Sequence, residues 1–270
     1  MMLNFHDAVL YDRDVQLFKG RSWLNDACIN FYFRYLEYDV FGHEGAHETV
    51  IFMDPAVVSF MMLQCTDDDD YDDLRRGLKL DQKSLIFVPV NDNTSFDSSS
   101  THWSLLACVR YNNAINCVHL DSGGGANGAR AEQVAAQLRQ TLLGAADRGS
   151  GNDIPTLQLV DVSAQTPRQT NSYDCGMYTI VFAEFFAKYF VGVPEIKEGE
   201  GEEKDPQMAA EEEKEDVVRS NDDNDKSFLS VLQSIMDQMN GCITPSFVSQ
   251  ERVRMHKLAA DLLSRCSSSL

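Results

Sequence analysis

The C-terminal half of the chain carries a cysteine, a histidine, an aspartate and a glutamine where they could act together. Cys175 lies between a polar stretch and an apolar helical pattern. The N-terminus of a helix stabilises a thiolate through its unpaired N–H groups. His102 begins one predicted strand and Asp121 ends the next, so a hairpin could set the carboxylate beside the imidazole. Gln169 could fold back and offer its amide N–H to a developing oxyanion. This set indicates nucleophilic catalysis by a thiol.

Each of these residues, taken singly, also has an ordinary structural explanation. Free cysteine is among the most frequently buried residue types, and a histidine at a strand end can be satisfied by its neighbours. The presence of all four types in one region favours a catalytic site. His119 alternates with Asp121 along the same strand and shares its face, but nothing else in the sequence marks it. We predict a structural role for His119.

Two other patterns are typical of metal sites, but neither has the right context. Residues 43–47 read His-Glu-Gly-Ala-His and fit the H-E-x-x-H motif of zinc proteases. Gly42 and Gly45 weaken a helix there, and no clear third ligand follows. The acidic run 67–73 lacks the glycine and the final glutamate of a calcium-binding loop. We therefore expect polar loops at both places, no metal and no other cofactor.

Hydrophobic periodicity and capping signals predict the elements that must position the catalytic candidates. Ser22 is the predicted N-cap of the first helix, and Asp54-Pro55 begins the second. Residues 112–114 read as a hairpin turn. The predicted strands are 49–53, 85–90, 103–111, 115–120 and 157–162. The later helices are predicted at 131–143, 175–190, 228–239 and 250–266. Helices at both ends of the chain around a central sheet indicate an α+β fold.

Composition and charge limit the possible partners. The chain has 270 residues, 43% of them apolar, which is typical of a globular protein, and we expect a single domain over residues 1–270. The net charge of −19 is local, because residues 195–226 contain 14 acidic and 5 basic residues. That segment is poor in apolar residues, and we predict a disordered insertion. Nucleic-acid binding is not expected, since it needs clustered Lys and Arg.

The sequence also predicts a compartment. Residues 1–7 show no basic region followed by an apolar run, so we expect no signal peptide. The most apolar stretch, 178–193, is interrupted by Glu184 and Lys188 and does not read as a membrane span. The seven cysteines form no C-x-x-C pair. We therefore expect reduced thiols and a cytoplasmic or nuclear location. We also expect a monomer without membrane partners.

Four short elements together resemble a known family. They are Trp23-Leu24-Asn25-Asp26, His102-Trp103, Asp121-Ser122, and the block from Gln169 to Asp174-Cys175-Gly176. They resemble the ubiquitin-like-protein-specific cysteine proteases, the Ulp/sentrin-protease family, and most of all its deneddylase branch. The resemblance covers most of residues 8–192 and resumes weakly at 227–265.

The resemblance implies a papain-like α+β fold, with a central mixed sheet flanked by helices and catalytic residues in the order His, Asp, Cys. Cys175 would be the nucleophile and His102 the general base and acid. Asp121 would orient the imidazole, and Gln169 would donate to the oxyanion. The implied activity is cleavage after the C-terminal Gly-Gly of a ubiquitin-like modifier, most of all the neddylation modifier, in its conjugates and in precursors.

The resemblance also implies where the modifier binds. Trp103 would roof a narrow tunnel that admits only the two glycines, because they lack Cβ atoms. Trp23 and Asp26 would contact the modifier, and Asp26 could pair with an arginine preceding the glycines. Asn91 belongs to a loop that looks like the deneddylase branch. For Trp23, a hydrophobic staple across the helix start is the structural alternative.

Two other functions remain open at this point. One is a SUMO-specific protease, which would share the same catalytic residues. The other is a non-catalytic module that only binds a ubiquitin-like modifier, although the presence of all four catalytic residue types argues against it. Residues 123–125 are three glycines and form a looser loop than the family pattern. This departure affects the expected substrate contacts more than the expected catalysis.

Overall fold

A five-stranded mixed sheet lies at the centre of the fold, in the computed structural model that describes residues 2–42, 48–93, 95, 101–111, 114–147, 156–191 and 227–267. Its strands are β3 (Val50–Phe52), β4 (Leu85–Asn91), β5 (Trp103–Tyr111), β6 (Ala114–Leu120) and β7 (Thr156–Asp161). A separate N-terminal hairpin consists of β1 (Met2–Phe5) and β2 (Ala8–Tyr11). The α-helices are α1 (Asp12–Val15), α2 (Asp26–Tyr35), α3 (Pro55–Leu63), α4 (Asp68–Gly77), α5 (Gly128–Asp147), α6 (Cys175–Val191), α7 (Phe228–Cys242) and α8 (Pro245–Ser267).

The sheet has the order β3-β4-β5-β6-β7, and its topology places the site. The outer pairs β3–β4 and β6–β7 are parallel, whereas β4, β5 and β6 run antiparallel. Leu105 near the start of β5 pairs with Leu120 at the end of β6. Residues that precede β5 and residues that follow β6 therefore meet at one edge of the sheet.

Both faces of the sheet are covered, and successive side chains of each strand point into different cores. On β4, Phe87 packs into the core formed with α2, α6, α7 and α8. Its neighbour Val88 packs into the core with α3, α4 and α5. Strands buried on both faces are continuous apolar runs, which is why the sequence pattern found them. The helix–sheet–helix arrangement confirms the predicted α+β fold.

The first long helix begins later than the sequence suggested. Asn25, and not Ser22, is the N-cap of α2, and its Oδ1 accepts from the backbone N–H of Cys28 at 3.1 Å. The Asn25 amide also donates to the buried carboxylate of Asp14 at 2.8 Å. The second helix begins as predicted, with Asp54 capping a helix whose first residue is Pro55.

The acidic run 67–73 was expected to be a loop, and this expectation is wrong. Most of the run forms the first turns of α4, where the Asp67 side chain accepts from the N–H of Asp70 at 3.0 Å. Carboxylates in a first turn interact favourably with the helix dipole, and two arginines, Arg75 and Arg76, occupy the last turn. Capping and dipole effects therefore make this charge run helical.

The expectation of reduced thiols is wrong for one pair. Cys108 on β5 and Cys117 on β6 form a disulfide. They are directly opposite each other in the antiparallel register, with Cα atoms 4.0 Å apart. Spacing along the chain does not show this cross-strand neighbourhood. The thiols of Cys28, Cys65, Cys175 and Cys242 are not in disulfides.

Several predictions fall on residues outside the described ranges. These are the H-E-x-x-H motif at 43–47, the hairpin turn at 112–113 and the acidic insertion at 195–226. Across the described ranges, no helix is both long and apolar enough to cross a membrane.

The capping of α2 gives a direct test of its boundary. Asn25→Ala should lower the free energy of unfolding by about 1–2 kcal/mol, because it removes the cap of the Cys28 N–H and a partner of buried Asp14. Ser22→Ala, the matched control, should change it by less than about 0.5 kcal/mol. Urea unfolding measures both. A larger loss for Ser22→Ala would contradict the boundary.

Candidate active site

Cys175 is the first residue of α6. Its side chain is buried, and the helix behind it is apolar on nearly every side because it packs between β5 and the C-terminal helices. The first turn is closed by the N–H of Tyr178, which donates to the carbonyl of Asp174 at 2.9 Å. The thiol thus lies at the positive end of a long, firmly packed helix, where a thiolate is stabilised.

His102 and Asp121 meet at the edge of the sheet, as the hairpin predicted. His102 immediately precedes β5, and Asp121 immediately follows β6. Nε2 of His102 lies 2.6 Å from Oδ1 of Asp121, whose side chain is fully buried. The imidazole also hydrogen-bonds the Cys175 side chain. Cysteine, histidine and aspartate therefore form one continuous hydrogen-bonded row.

The electrostatics of this row favour a protonated imidazole. Burial alone would lower the pKa of His102, but hydrogen bonds and charge interactions with Asp121 and Cys175 raise it to about 10. Burial would likewise raise the pKa of Asp121, yet its hydrogen bonds to His102 and to backbone N–H groups hold that pKa below the ordinary value. The arrangement stabilises an aspartate–imidazolium pair beside the sulfur.

The Asp121 carboxylate is fixed by the loop that follows it. Oδ1 accepts from the N–H of Gly123 at 2.7 Å, and Oδ2 accepts from the N–H of Asn127 at 3.0 Å. A Cβ atom on Gly123 would lie 2.7 Å from Cε1 of His102, so only glycine fits beneath the imidazole. Gly124 and Gly125 have φ values of +80° and +91°, which favour glycine. The three-glycine run is thus required by the geometry of the site.

Two further side chains hold the backbone of His102. The Asn127 amide donates to the carbonyl of His102 at 3.3 Å and to that of Val90 at 3.3 Å. Oδ1 of Asp92 accepts from the N–H groups of Thr101 at 2.7 Å and His102 at 3.1 Å. Asn127 therefore contacts both members of the His–Asp pair. Its side chain binds the backbone of His102, and its backbone N–H binds the side chain of Asp121.

Gln169 lies in the loop before the nucleophile and is held at both ends of its amide. Its Oε1 accepts from the Ser122 hydroxyl at 2.8 Å, and its Nε2 donates to the carbonyl of Asn171 at 2.6 Å. The Ser122 hydroxyl fixes which way the amide points. Because an amide nitrogen carries two hydrogens, one N–H is left for a ligand. The role of Gln169 as oxyanion donor stays a prediction.

Trp103 is buried between the segment that precedes α2 and the start of α6. Its indole N–H donates to the carbonyl of Leu24 at 3.0 Å. A Cβ on Gly176 would come within 3.0 Å of the Leu24 side chain and 3.4 Å of the indole. Leu24, Trp103 and the start of α6 are therefore packed closely around Gly176, the residue after Cys175. The narrow tunnel beneath Trp103 stays a prediction.

The other predicted substrate contacts have side chains that are at least partly exposed. Trp23 is 47% exposed, and because Asn25 is the N-cap of α2, the staple position before the cap belongs to Leu24 rather than to Trp23. Asp26 begins α2, and partial burial and the carboxylate of Asp54 raise its pKa. Asn91 ends β4 opposite Trp103, and its Oδ1 accepts from the N–H of Asn93. Their role in substrate binding stays a prediction.

His119 has the structural environment that the sequence analysis expected. It is buried, with Nε2 3.1 Å from the Ser104 hydroxyl and Nδ1 3.2 Å from that of Ser163. Burial lowers its pKa, which favours the neutral ring. The two hydroxyls satisfy both ring nitrogens, and the Asp161 carboxylate lies 3.4 Å from Nδ1, so the ring is held by its structural neighbours.

Sequence reasoning missed the residues that support the catalytic row. Asp92, Gly123 and Asn127 are close to motif residues in the chain, but their roles depend on backbone hydrogen bonds. Asn127 precedes α5, so its position as a helix-start residue was the one signal available. Side chains that bind their neighbours' backbone carry no distinctive spacing.

Comparison with known proteins shows which family the chain belongs to. Residues 22–218 match the family described as "Ulp1 protease family, C-terminal catalytic domain". The chain belongs to the Ulp1 protease family. It is 36% identical to mouse sentrin-specific protease 8 over 68% of this chain and 76% of that protein. It is 31% identical to NEDD8-specific protease 1 of Arabidopsis thaliana over 70% of this chain and 76% of that protein.

A solved structure described as a de-sumoylating protease has the same fold. It superposes with a TM-score of 0.60 over 100% of this chain and 95% of that chain, at 14% identity. Membership of the Ulp1 family makes the chain a cysteine protease. The match covers His102, Asp121 and Cys175 but ends before the last two helices.

Asp121→Asn in this Ulp1-family protease should move the alkaline limb of the kcat/KM profile to lower pH. The wild-type imidazolium is lost only as pH rises through about 10. Without the carboxylate, burial lowers the pKa of His102 with less opposition, so the imidazolium loses its proton at a lower pH. Turnover should fall by about 10⁴-fold, the scale known for a catalytic triad. Initial rates across the neutral and alkaline range test this, and an unmoved alkaline limb would exclude the role of Asp121.

Proposed function

We propose that this protease cleaves after the C-terminal Gly-Gly of a ubiquitin-like modifier, with preference for the neddylation modifier. The observation that carries the proposal is the hydrogen-bonded row of Asp121, His102 and Cys175 at the start of α6. It combines a thiol nucleophile with a protonated acid in one site. The substrates are conjugates of the modifier and, by the same chemistry, its precursor.

In the proposed reaction, the Cys175 thiolate attacks the carbonyl carbon of the terminal glycine. The resulting oxyanion accepts from the available N–H of Gln169. The His102 imidazolium gives its proton to the leaving amine, which departs as the C–N bond breaks and leaves a thioester on Cys175. His102, now neutral, takes a proton from water as the water attacks the thioester, and the thiolate is regenerated. Asp121 holds the imidazole in one orientation throughout.

Close packing beside Cys175 supports a Gly-Gly terminus. A Cβ atom at Gly176 would lie only 3.0 Å from Leu24 and 3.4 Å from Trp103, which is a tight contact. A substrate strand that reaches the sulfur beneath the indole is under the same restriction, and glycine offers the least bulk. The exposed ring of Trp23 and the carboxylate of Asp26 lie at the N-terminal end of α2, where the modifier's surface and tail would be contacted.

The preference for the neddylation modifier is supported by the relatives. At 31% identity over most of both chains, a protease named for NEDD8 is among them. The similarity to the de-sumoylating protease supports the shared fold, since the two chains are only 14% identical. A SUMO-specific protease is the second candidate, because it would use the same catalytic row. A purely binding module is disfavoured by the intact row.

A panel of modifiers tests the proposed substrate. The C-terminal aminocoumarin derivative of the neddylation modifier should be hydrolysed at least about tenfold faster than those of SUMO and ubiquitin. Cys175→Ala should abolish hydrolysis of every member while leaving binding largely intact, because only the attacking atom is lost. Cys242→Ala, which removes an exposed thiol, is the matched control and should be fully active.

The panel separates the two parts of the proposal. Faster hydrolysis of the SUMO derivative would refute the preference and leave the protease assignment standing. Turnover by Cys175→Ala would refute the nucleophile itself.

Asp26→Ala should raise KM for the preferred derivative about tenfold and leave kcat within about twofold. The carboxylate is proposed to pair with an arginine before the two glycines, and one charged hydrogen bond contributes about 1.5 kcal/mol. A reporter with that arginine changed to alanine should show no further loss in Asp26→Ala. Asp73→Ala, an exposed acid on α4, is the control. Equal KM values for both reporters in the wild type would contradict the pairing.

A further inference from the structure

A buried arginine on the last helix contacts the loop that carries the nucleophile. Arg252 of α8 and Asp174, the residue before Cys175, form an ion pair whose side chains are 6% and 5% exposed. Nε and Nη2 of the arginine lie 2.9 and 2.7 Å from Oδ1 of the aspartate. Arg252 is far along the chain, beyond the residues 22–218 that match the family.

The same guanidinium ties three segments together. Its Nη1 donates to the carbonyl of Leu17 at 2.7 Å, and its Nη2 donates to that of Tyr173 at 3.3 Å. It also lies 5.7 Å from the centre of the Tyr173 ring. The planar fork of arginine suits such a set of acceptors, and a lysine could reach only part of it.

From Asp174 the contacts continue to the proposed oxyanion donor. Oδ2 of Asp174 accepts from the Asn171 amide at 2.7 Å, and Oδ1 of Asn171 accepts from the N–H groups of Tyr173 and Asp174. The carbonyl of Asn171 in turn accepts from Nε2 of Gln169 at 2.6 Å. One aspartate is thus covalently next to the nucleophile and two hydrogen bonds from the oxyanion donor.

We infer that Arg252 is a positioning residue for catalysis, which acts through Asp174 to hold Cys175 and Gln169 in register. The inference rests on the proposed roles of those two residues. A loop that carries both the attacking atom and an oxyanion donor must hold them within a fraction of an ångström, and a misplacement of about 1 Å can cost about 10²-fold in rate. The last helix is therefore part of the catalytic apparatus as well as of the core.

The test separates positioning from folding. Removing one partner of a buried ion pair leaves an uncompensated charge, whereas removing both is often tolerated. Arg252→Met and Asp174→Asn should each lower the thermal midpoint, and the double variant should recover much of it. Positioning predicts that kcat of the double variant stays about 10²-fold below wild type with KM within about twofold. A purely structural role predicts that activity returns with stability.

Arg254→Met is the matched control on the same helix. Arg254 binds Glu251 and the hydroxyl of Tyr32. Within the described residues, none of its hydrogen bonds or ion pairs reaches the loop before Cys175. The Arg254→Met variant should have a lower thermal midpoint and an unchanged kcat. The substrate is whichever aminocoumarin derivative the wild type hydrolyses fastest, so the result does not depend on which modifier is preferred. A Cys175→Ala enzyme that still turned over would refute the proposed nucleophile separately.

Arg252→Lys is a second variant that keeps the buried charge and so protects the fold. It should lower kcat about tenfold at unchanged KM, because one ammonium cannot replace the fork. The inference is overturned if the folded double variant or Arg252→Lys has kcat within about twofold of wild type. It is also overturned if the loss appears in KM alone. Should the double variant not fold, the kcat of Arg252→Lys decides the question.

Discussion

The hydrogen bond between His102 and Asp121, at 2.6 Å, is the interaction on which the site depends. It places a fully buried carboxylate under the imidazole, and burial alone would disfavour that charge. The carboxylate stays ionised because the imidazole and the N–H groups of Gly123 and Asn127 satisfy it. This requirement explains the glycine run and the position of Asn127. The antiparallel pairing of β5 with β6 is what brings the two side chains together.

Cys175, the proposed nucleophile, depends on a second set of contacts, which are supplied by helices. Cys175 begins α6, whose apolar surface is held by the sheet and by α7 and α8. The loop before it is fixed by the buried pair of Asp174 and Arg252. Sheet and helices therefore position different parts of the site: the edge of the sheet holds His102 and Asp121, and the helical layer holds Cys175. Gln169, the proposed oxyanion donor, is bound from the sheet edge by Ser122.

The sequence predicted most of the sheet and the meeting of Cys175, His102 and Asp121, because buried strands are continuous apolar runs and these three residues lie at element ends. It did not predict the helix at 68–77, since a run of aspartates has the composition of a loop until its cap and dipole are considered. It also missed the disulfide between Cys108 and Cys117, because cross-strand register is not visible in spacing. The contact of Arg252 could not be predicted for a related reason, because its partner Asp174 is 78 positions away in the chain.

The site is built from paired charges, and this links its stability to its reactivity. Asp174 with Arg252 is a buried pair, and Asp121 is a buried carboxylate whose partner His102 is mostly buried, so either carboxylate alone would be costly. While both pairs are intact, each of these two carboxylates has a cationic partner. A thiolate formed there meets the imidazolium and the helix N-terminus without an unpaired carboxylate beside it. The buried pairs thus keep the carboxylates of Asp121 and Asp174 from opposing the negative charge that the reaction requires.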